Sequence, residues 1–500
     1  MRRHELRVRA SGERLDRESQ LAWRIAEVAC DPVAVEPDII EIVKDRLIDT
    51  AAAAIAALNR DPVVSARTQA LAHPRPNGAR IIGLPQMRTV HCEWAAWANC
   101  AAVRELDYHD NFFDLDACHP GDNISPVLAV AQQCGRSGRD LIRGIVTGYE
   151  IQIDLAKGIP LGSFQIDHIA NLGPAMAAGV AAVLDLPTET TFQAIQHSAH
   201  VSYSTRQARK GIISSWKAHA PGHVAKLAVE AIDRAMRGET APSPLYEGEY
   251  SVIARMVGGP QATYAVPLPE KGESKRGIAE TFTKGHSAGY HGEAAIDLAF
   301  RMRKAIPDFE AIDNIVIETK RMTHIGMGSG SNDPEKWDPH ASRETLDHSL
   351  MYIFAVALQD GEWHHERSYA PERARRPDTV QLWRKIRTVE DPAWNRRYNG
   401  LPPLQKDHGC RAVITFKNGD TLVDEIDVPN AHPRGTKPFG REDYIRKFLK
   451  LSDGIVCRAE ADRFLHLVHR LPDLSANDLG QLNVEADPAL LRVSDTTAIF

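Results

Sequence analysis

Residues 171–184 carry five alanines and two glycines among medium-sized apolar side chains. Such a run has no polar face and few bulky groups, so it is stable as a buried helix whose neighbours approach closely. Small side chains recur through the first half of the chain. Residues 41–58 place Val43, Leu47, Ile48, Ile55 and Leu58 among many alanines, with polar residues opposite. Residues 125–133, 141–157 and 223–236 keep the helical period and stop at Gly135, Gly158 and near Gly238. This half therefore predicts a tightly packed helical bundle.

From about residue 262 the texture changes. Residues 266–274 read as a linker, rich in proline, glycine and charge. A helix over 293–305 precedes an alternating, β-rich stretch at 314–320. Residues 411–416 and 421–428 flank Asn418-Gly419, a hairpin signal. Beyond 432–438 the pattern turns helical again. The expected fold is mostly α with an α+β part: a helical domain from 1–264, completed by 436–500, with an inserted α+β lid over 265–435.

A chain of 500 residues, 43% hydrophobic, can bury the large core this requires. Its net charge of −6 and pI near 6.4 offer no basic excess for nucleic acid. The seven cysteines (Cys30, Cys92, Cys100, Cys118, Cys134, Cys410, Cys457) form no CxxC pair. That argues against an iron–sulfur cluster or a cysteine-built zinc site and fits free thiols in a reducing compartment. The first ten residues mix bases and acids, and no run approaches the ~20 apolar residues of a membrane span. The reading is a cytoplasmic protein with no membrane partner.

Candidate chemistry concentrates at 104–123. Asp107, His109, Asp110, Asn111, His119, Asp122 and Asn123 crowd a stretch that Pro120 and Gly121 interrupt, before a helix expected to start at Ser125-Pro126. These residues fit either a polar capping loop or a loop that moves protons and binds anions. Downstream, Ser214-Ser215-Trp216-Lys217 opens a helix, with Arg206, Arg209 and Lys210 before it; helix N–H groups and cations together suit a carboxylate ligand. Lys217 stands out because Trp216 beside it could desolvate it. Lys284, His286 and His291 add positive charge where the two domains would meet. Asp167-His168 is a carboxylate beside an imidazole; Asp347-His348 reads equally well as intrahelical polar contacts. HExxH, GxSxG, Walker and GxGxxG patterns are missing.

Several of these segments recur in a fixed order. Leu106-Asp-Tyr-His-Asp-Asn111, His119-Pro-Gly-Asp-Asn123, Ser214-Ser-Trp-Lys217, Tyr246-Glu-Gly-Glu249, Thr283-Lys-Gly-His-Ser-Ala288 and Asp347-His348 together resemble the MmgE/PrpD family from roughly residue 20 to 450. The resemblance implies a helical domain with an α+β lid, a homodimer, and a cofactor-free hydro-lyase of the methylcitrate cycle of propionate catabolism. That activity converts 2-methylcitrate to 2-methyl-cis-aconitate and often extends to citrate or aconitate. Two alternatives stay open: a cis-aconitate decarboxylase of the same fold, or a non-catalytic tricarboxylate-binding member. By position, Asp107, Asn111, His119, His168, Lys217, Lys284 and His291 fall on the family's active-site groups. Asn111-Phe112 stands where many members have Thr-Trp, and Ser287-Ala288-Gly289 replaces a frequent Pro-Ala-Glu.

Dehydrating a hydroxy-tricarboxylate needs a base for a weakly acidic proton, an acid for the leaving hydroxide, and cations for the carboxylates. With no metal or cofactor expected, Asp107, His119, His168 and Lys217 are the catalytic candidates. His119 or His168 would carry the proton, with Asp107 orienting an imidazole. Asn111, Arg206, Lys284, His286 and His291 are the substrate-binding candidates.

Overall fold

The computed structural model describes residues 1–494 and 498–499; the end of the 436–500 segment, 495–497 and 500, lies outside the described residues. The chain is mostly helical with an α+β part. One hydrophobic core draws on residues from Leu6 to Ile278 and again from Tyr444 to Ala486. A second runs from Ala288 to Ile426. A small aromatic cluster of Phe113, Phe282 and Tyr290 joins residues flanking the two.

The helical core forms around Gly138–Gly158 and Ile169–Leu184. Their contact depends on missing side chains. A Cβ on Gly179 would lie 2.8 Å from the Gly144 carbonyl oxygen, and one on Gly144 would lie 2.2 Å from a Val183 methyl. Backbones this close exclude even alanine without a shift, which explains why the small residues cluster there. Around this pair pack Pro37–Ala56, Cys92–Glu105, Ile124–Gln133, Thr188–Ser202 and Trp216–Met236. Among the described residues no helix is long and apolar enough to cross a membrane.

The α+β part centres on a four-stranded sheet ordered Thr421–Ile426, Cys410–Phe416, Ile312–Thr319, Ile386–Glu390. The Asn-Gly hairpin forms as expected, with Thr421 opposite Thr415. Ile312–Thr319 runs parallel to Ile386–Glu390, and the connection between them carries Leu350–Asp360. That helix is buried beside Tyr290–Arg303 in the second core.

Local details differ from the sequence reading. Val266 to Leu268 is strand: Thr263–Leu268 pairs antiparallel with Arg2–Arg7, Arg2 opposite Leu268. Pro267 lacks a ladder N–H, and a two-stranded ribbon tolerates that. Residue 265 thus lies inside a strand packed on the helical core. The stretches 214–219 and 223–236 are one helix, Trp216–Met236, which contains Pro221. A Pro120–Asn123 turn precedes Ile124–Gln133, and Ser125 makes no side-chain cap. The cysteines are free.

Candidate active site

Cys92–Glu105 ends just before Asp107, which takes a left-handed backbone, φ +50°. Aspartate is one of the few residues that tolerate this conformation, and its cost is met where tertiary contacts fix it. Here they are cations. Arg104 Nη1 donates to Asp107 Oδ1 at 2.8 Å, and Lys284 Nζ donates to the same oxygen and to the Asp107 carbonyl at 2.8 Å. Lys217 Nζ lies 3.1 Å from Asp107 Oδ2. It also donates to both oxygens of Asp347 at 2.7 and 2.6 Å. Arg343 Nη1 holds Asp347 Oδ2 at 3.0 Å. Arg343 Nη2 reaches the Leu106 carbonyl and Ser287 Oγ. His348 sits with its Nδ1 on Asp347 Oδ1 and 3.4 Å from Lys217 Nζ.

Arg104, Lys217, Lys284 and Arg343 face the two carboxylates of Asp107 and Asp347, so the buried cluster keeps two surplus positive charges. Burial alone would raise both carboxyls. Neighbouring charges and hydrogen bonds outweigh it and hold them well below the ordinary range: Arg104, Lys217 and Lys284 for Asp107, and Lys217, the hydrogen bond from His348 and Arg343 for Asp347. Burial pushes the Lys284 ammonium down, against the pull of Asp107.

The imidazoles line the other side. His119 Nδ1 lies 3.2 Å from the Asp110 carbonyl, so it carries the proton and donates, leaving a lone pair on Nε2. His168 Nδ1 faces Asp167 Oδ1 at 2.8 Å, and Arg209 Nε donates to Asp167 Oδ2 at 2.8 Å. Its buried Nε2 has no protein partner. The two rings meet at 5.2 Å between centroids. Burial lowers the basicity of both: that of His119 well below the usual value, with Arg104 and Lys284 adding to it, and that of His168 despite the opposing Asp167. Burial and Lys217 bring His348 down to about 4. All three are neutral at pH 7, as proton acceptors must be. Gly121 makes the loop possible: its N–H donates to Asp110 Oδ1 at 2.9 Å, and a Cβ there would sit 2.7 Å from that oxygen.

Asp107, Asp347 and His348 hold donor atoms within 4.8 Å of one another, the best-grouped metal ligands among the described residues. The Lys217 ammonium already bonds to these residues, and a metal ion would have to expel it. The donor set fits a lysine.

Residues 19–265 match the MmgE/PrpD N-terminal domain and residues 286–473 the MmgE/PrpD C-terminal domain. The chain belongs to the MmgE/PrpD family. It is 25% identical over 408 residues to the mitochondrial 2-methylcitrate dehydratase of Yarrowia lipolytica, covering 78% of this chain and 75% of that one. It is 27% identical over 382 residues to the 2-methylcitrate dehydratase of Cupriavidus necator, covering 72% and 74%. It is 24% identical over 390 residues to that of Salmonella typhi, covering 75% and 77%.

Within this MmgE/PrpD chain, Asp107, His119, His168, Lys217 and Lys284 are linked by contact or mutual electrostatics. His291 joins them through its charge coupling to His348 and Lys284. Asn111 is buried, but its side-chain amide donates to the His109 carbonyl. Its backbone pairs with Phe282, which ties the loop to the segment carrying Lys284. Arg206 stands exposed at the rim, influencing Asp116 and His291. His286 turns away, its Nε2 3.0 Å from Asp297 Oδ1, because Glu293 and Asp297 of the following helix capture it. Asp107 orients lysines rather than His119; Asp167 supplies the carboxylate for an imidazole. Trp216 is 39% exposed, so the α+β part, not the indole, desolvates Lys217. The sequence reading weighed Asp347-His348 against plain intrahelical contacts and kept it, with Arg343, out of the site candidates. Their signal was the recurring Asp347-His348 pair, whose partner Lys217 lies 130 residues away.

Proposed function

We propose that this chain is a hydro-lyase that eliminates water from 2-methylcitrate to give 2-methyl-cis-aconitate, without a metal. The observation that carries the reading is the pairing of neutral imidazoles, His119 and His168, with a buried cluster of surplus positive charge. A tricarboxylate neutralises that surplus, and its arrival raises the basicity of the nearby imidazoles. His168 takes the proton on Nε2, with Asp167 across the ring stabilising the imidazolium that forms. His119 Nε2 accepts the hydrogen bond of the carbinol O–H and so fixes the leaving group. Lys284 spends two of its donors on Asp107 and keeps a third, so its weakened ammonium gives the proton that lets hydroxide depart as water. Lys217 holds Asp107 and Asp347 in register.

The test uses chelator-treated protein with 2-methylcitrate, citrate and cis-aconitate side by side. Alkene absorbance should rise fastest with 2-methylcitrate. Release of CO2 and itaconate from cis-aconitate, without dehydration of 2-methylcitrate, would replace this reading with decarboxylation. Activity abolished by chelation and restored by a divalent ion would overturn the metal-free scheme.

A further inference from the structure

Next to His291 and against Tyr398 lies a second group of basic side chains that the scheme above leaves unused, with His408 5.4 Å from the Tyr398 ring. Lys320 closes the Ile312–Thr319 strand and is 1% exposed, yet its Nζ has no protein hydrogen-bond partner. It rests over the Tyr398 ring at 4.9 Å. His408 is equally buried, and neither ring nitrogen has a partner. Its ring lies 5.2 Å from Phe113, 5.1 Å from Tyr290 and 6.2 Å from His291. The Tyr290 hydroxyl and His291 Nδ1 are unpartnered as well. Lys406, also 4.9 Å from the Tyr398 ring, is already paired with Asp114 at 3.2 Å.

Burying an amine without a partner costs several kcal/mol, and one such group in a folded protein calls for a reason. Burial lowers Lys320 to about 7, against weaker opposing pulls from Cys410 and Asp407. Both His291 and His408 lose basicity through burial and then through Lys320, and His291 through His348 and Lys284 besides. His291 packs 5.0 Å from Phe113 and 6.2 Å from His408, with Lys320, His348 and Lys284 all acting on its charge. Aromatic walls around unpaired donors make a cage that strengthens the grip on any carboxylate entering it.

We propose that Lys320 and His408 form a second carboxylate pocket, which seats the substrate carboxymethyl arm that does not react. This rests on the tricarboxylate reading above. Recognition of the arm sets the choice of tricarboxylates over dicarboxylates, because a shorter acid leaves Lys320 and His408 unpaired.

Titration calorimetry with tricarballylate and succinate on the full chain tests it, since neither probe can lose water. Lys320→Met should weaken tricarballylate binding by about 30-fold, the loss of one charged hydrogen bond, and leave succinate binding within about twofold. The ligand-free variant should melt higher than the parent, because it no longer buries an amine, whereas a merely structural lysine would leave a less stable variant. His408→Phe, which keeps the aromatic packing, should weaken tricarballylate in the same selective way. Unchanged tricarballylate affinity in both variants, an equal loss for the two acids, or no tricarballylate binding by the parent overturns the pocket. Failure of the parent to dehydrate 2-methylcitrate while these binding differences hold overturns the reaction and leaves the pocket standing.

Discussion

Replacing Asp167 by asparagine keeps the side chain's size and removes the charge that His168 and Arg209 share. The carboxylate oxygen lies 2.8 Å from Nδ1. Once Nε2 has taken a proton, the attraction between imidazolium and carboxylate at 2.8 Å is about 6 kcal/mol at an effective dielectric near 20. Arg209 shares the same carboxylate, so a net effect of about 4 kcal/mol reaches the transition state, which is about a thousandfold in rate. The expected result for Asp167→Asn is a kcat about 10³ lower at saturating 2-methylcitrate, followed by alkene absorbance. Arg209 is left buried without its counter-charge, which costs about 3 kcal/mol of stability, so a melting curve must accompany the assay. Adding His168→Gln to this variant should cost little more, because the two residues act as one unit. A folded Asp167→Asn protein with kcat within tenfold of the parent would show that His168 is not the proton acceptor.

Other outcomes follow from the same geometry. His119→Asn and Lys217→Met should each lower kcat by at least about 100-fold while circular dichroism stays unchanged. Below pH 6.5 two histidines should make a destabilising contribution, opposite in sign to that of Glu105, Glu150 and Glu293, which burial raises to about 7. His348 and His432 are brought down to about 4 in the folded state, by burial and then by Lys217 and Arg434, so the unfolded chain binds more protons between pH 6.5 and about 4. A His432→Gln variant lacks one of these groups, so the difference in melting temperature between it and the parent should shift in the variant's favour as pH drops through that window toward pH 4. Gly179→Ala should lower the melting temperature at pH 7 by the equivalent of about 1–3 kcal/mol, since its Cβ meets a backbone oxygen that cannot swing aside.

The helical half was legible because 171–184 can satisfy its packing only against a close neighbour, and the chemistry-rich loop because Pro120 and Gly121 mark it as non-helical. Asp107, His119, Lys217 and Lys284 could be picked out one by one, but their partners could not. Arg343 and Asp347 look like an ordinary i,i+4 pair, and only the fold brings them to Lys217. His286 misled for the opposite reason: its acidic partners lie seven and eleven residues further on, a local pairing that positive charge in a glycine-rich segment does not reveal. The 266–268 strand was invisible because its partner is the first strand of the chain.

Lys447, in the Arg441–Ser452 helix, donates to Asp49 at 2.7 Å, to the Tyr108 carbonyl at 2.7 Å and to the Lys284 carbonyl at 3.0 Å. It therefore braces the backbone next to Asp107, at Tyr108, and at Lys284 from a position made late in synthesis. At about 5–20 residues per second, roughly 10–50 s separate the emergence of Asp107 from that of Asp347, and Lys447 follows later still. Through that interval the ribosome-bound chain holds Asp107 with Arg104, and then Lys217 and Lys284, before the second carboxylate, Asp347, has been translated. Asp347 and the Lys447 brace are thus the last of these partners to become available.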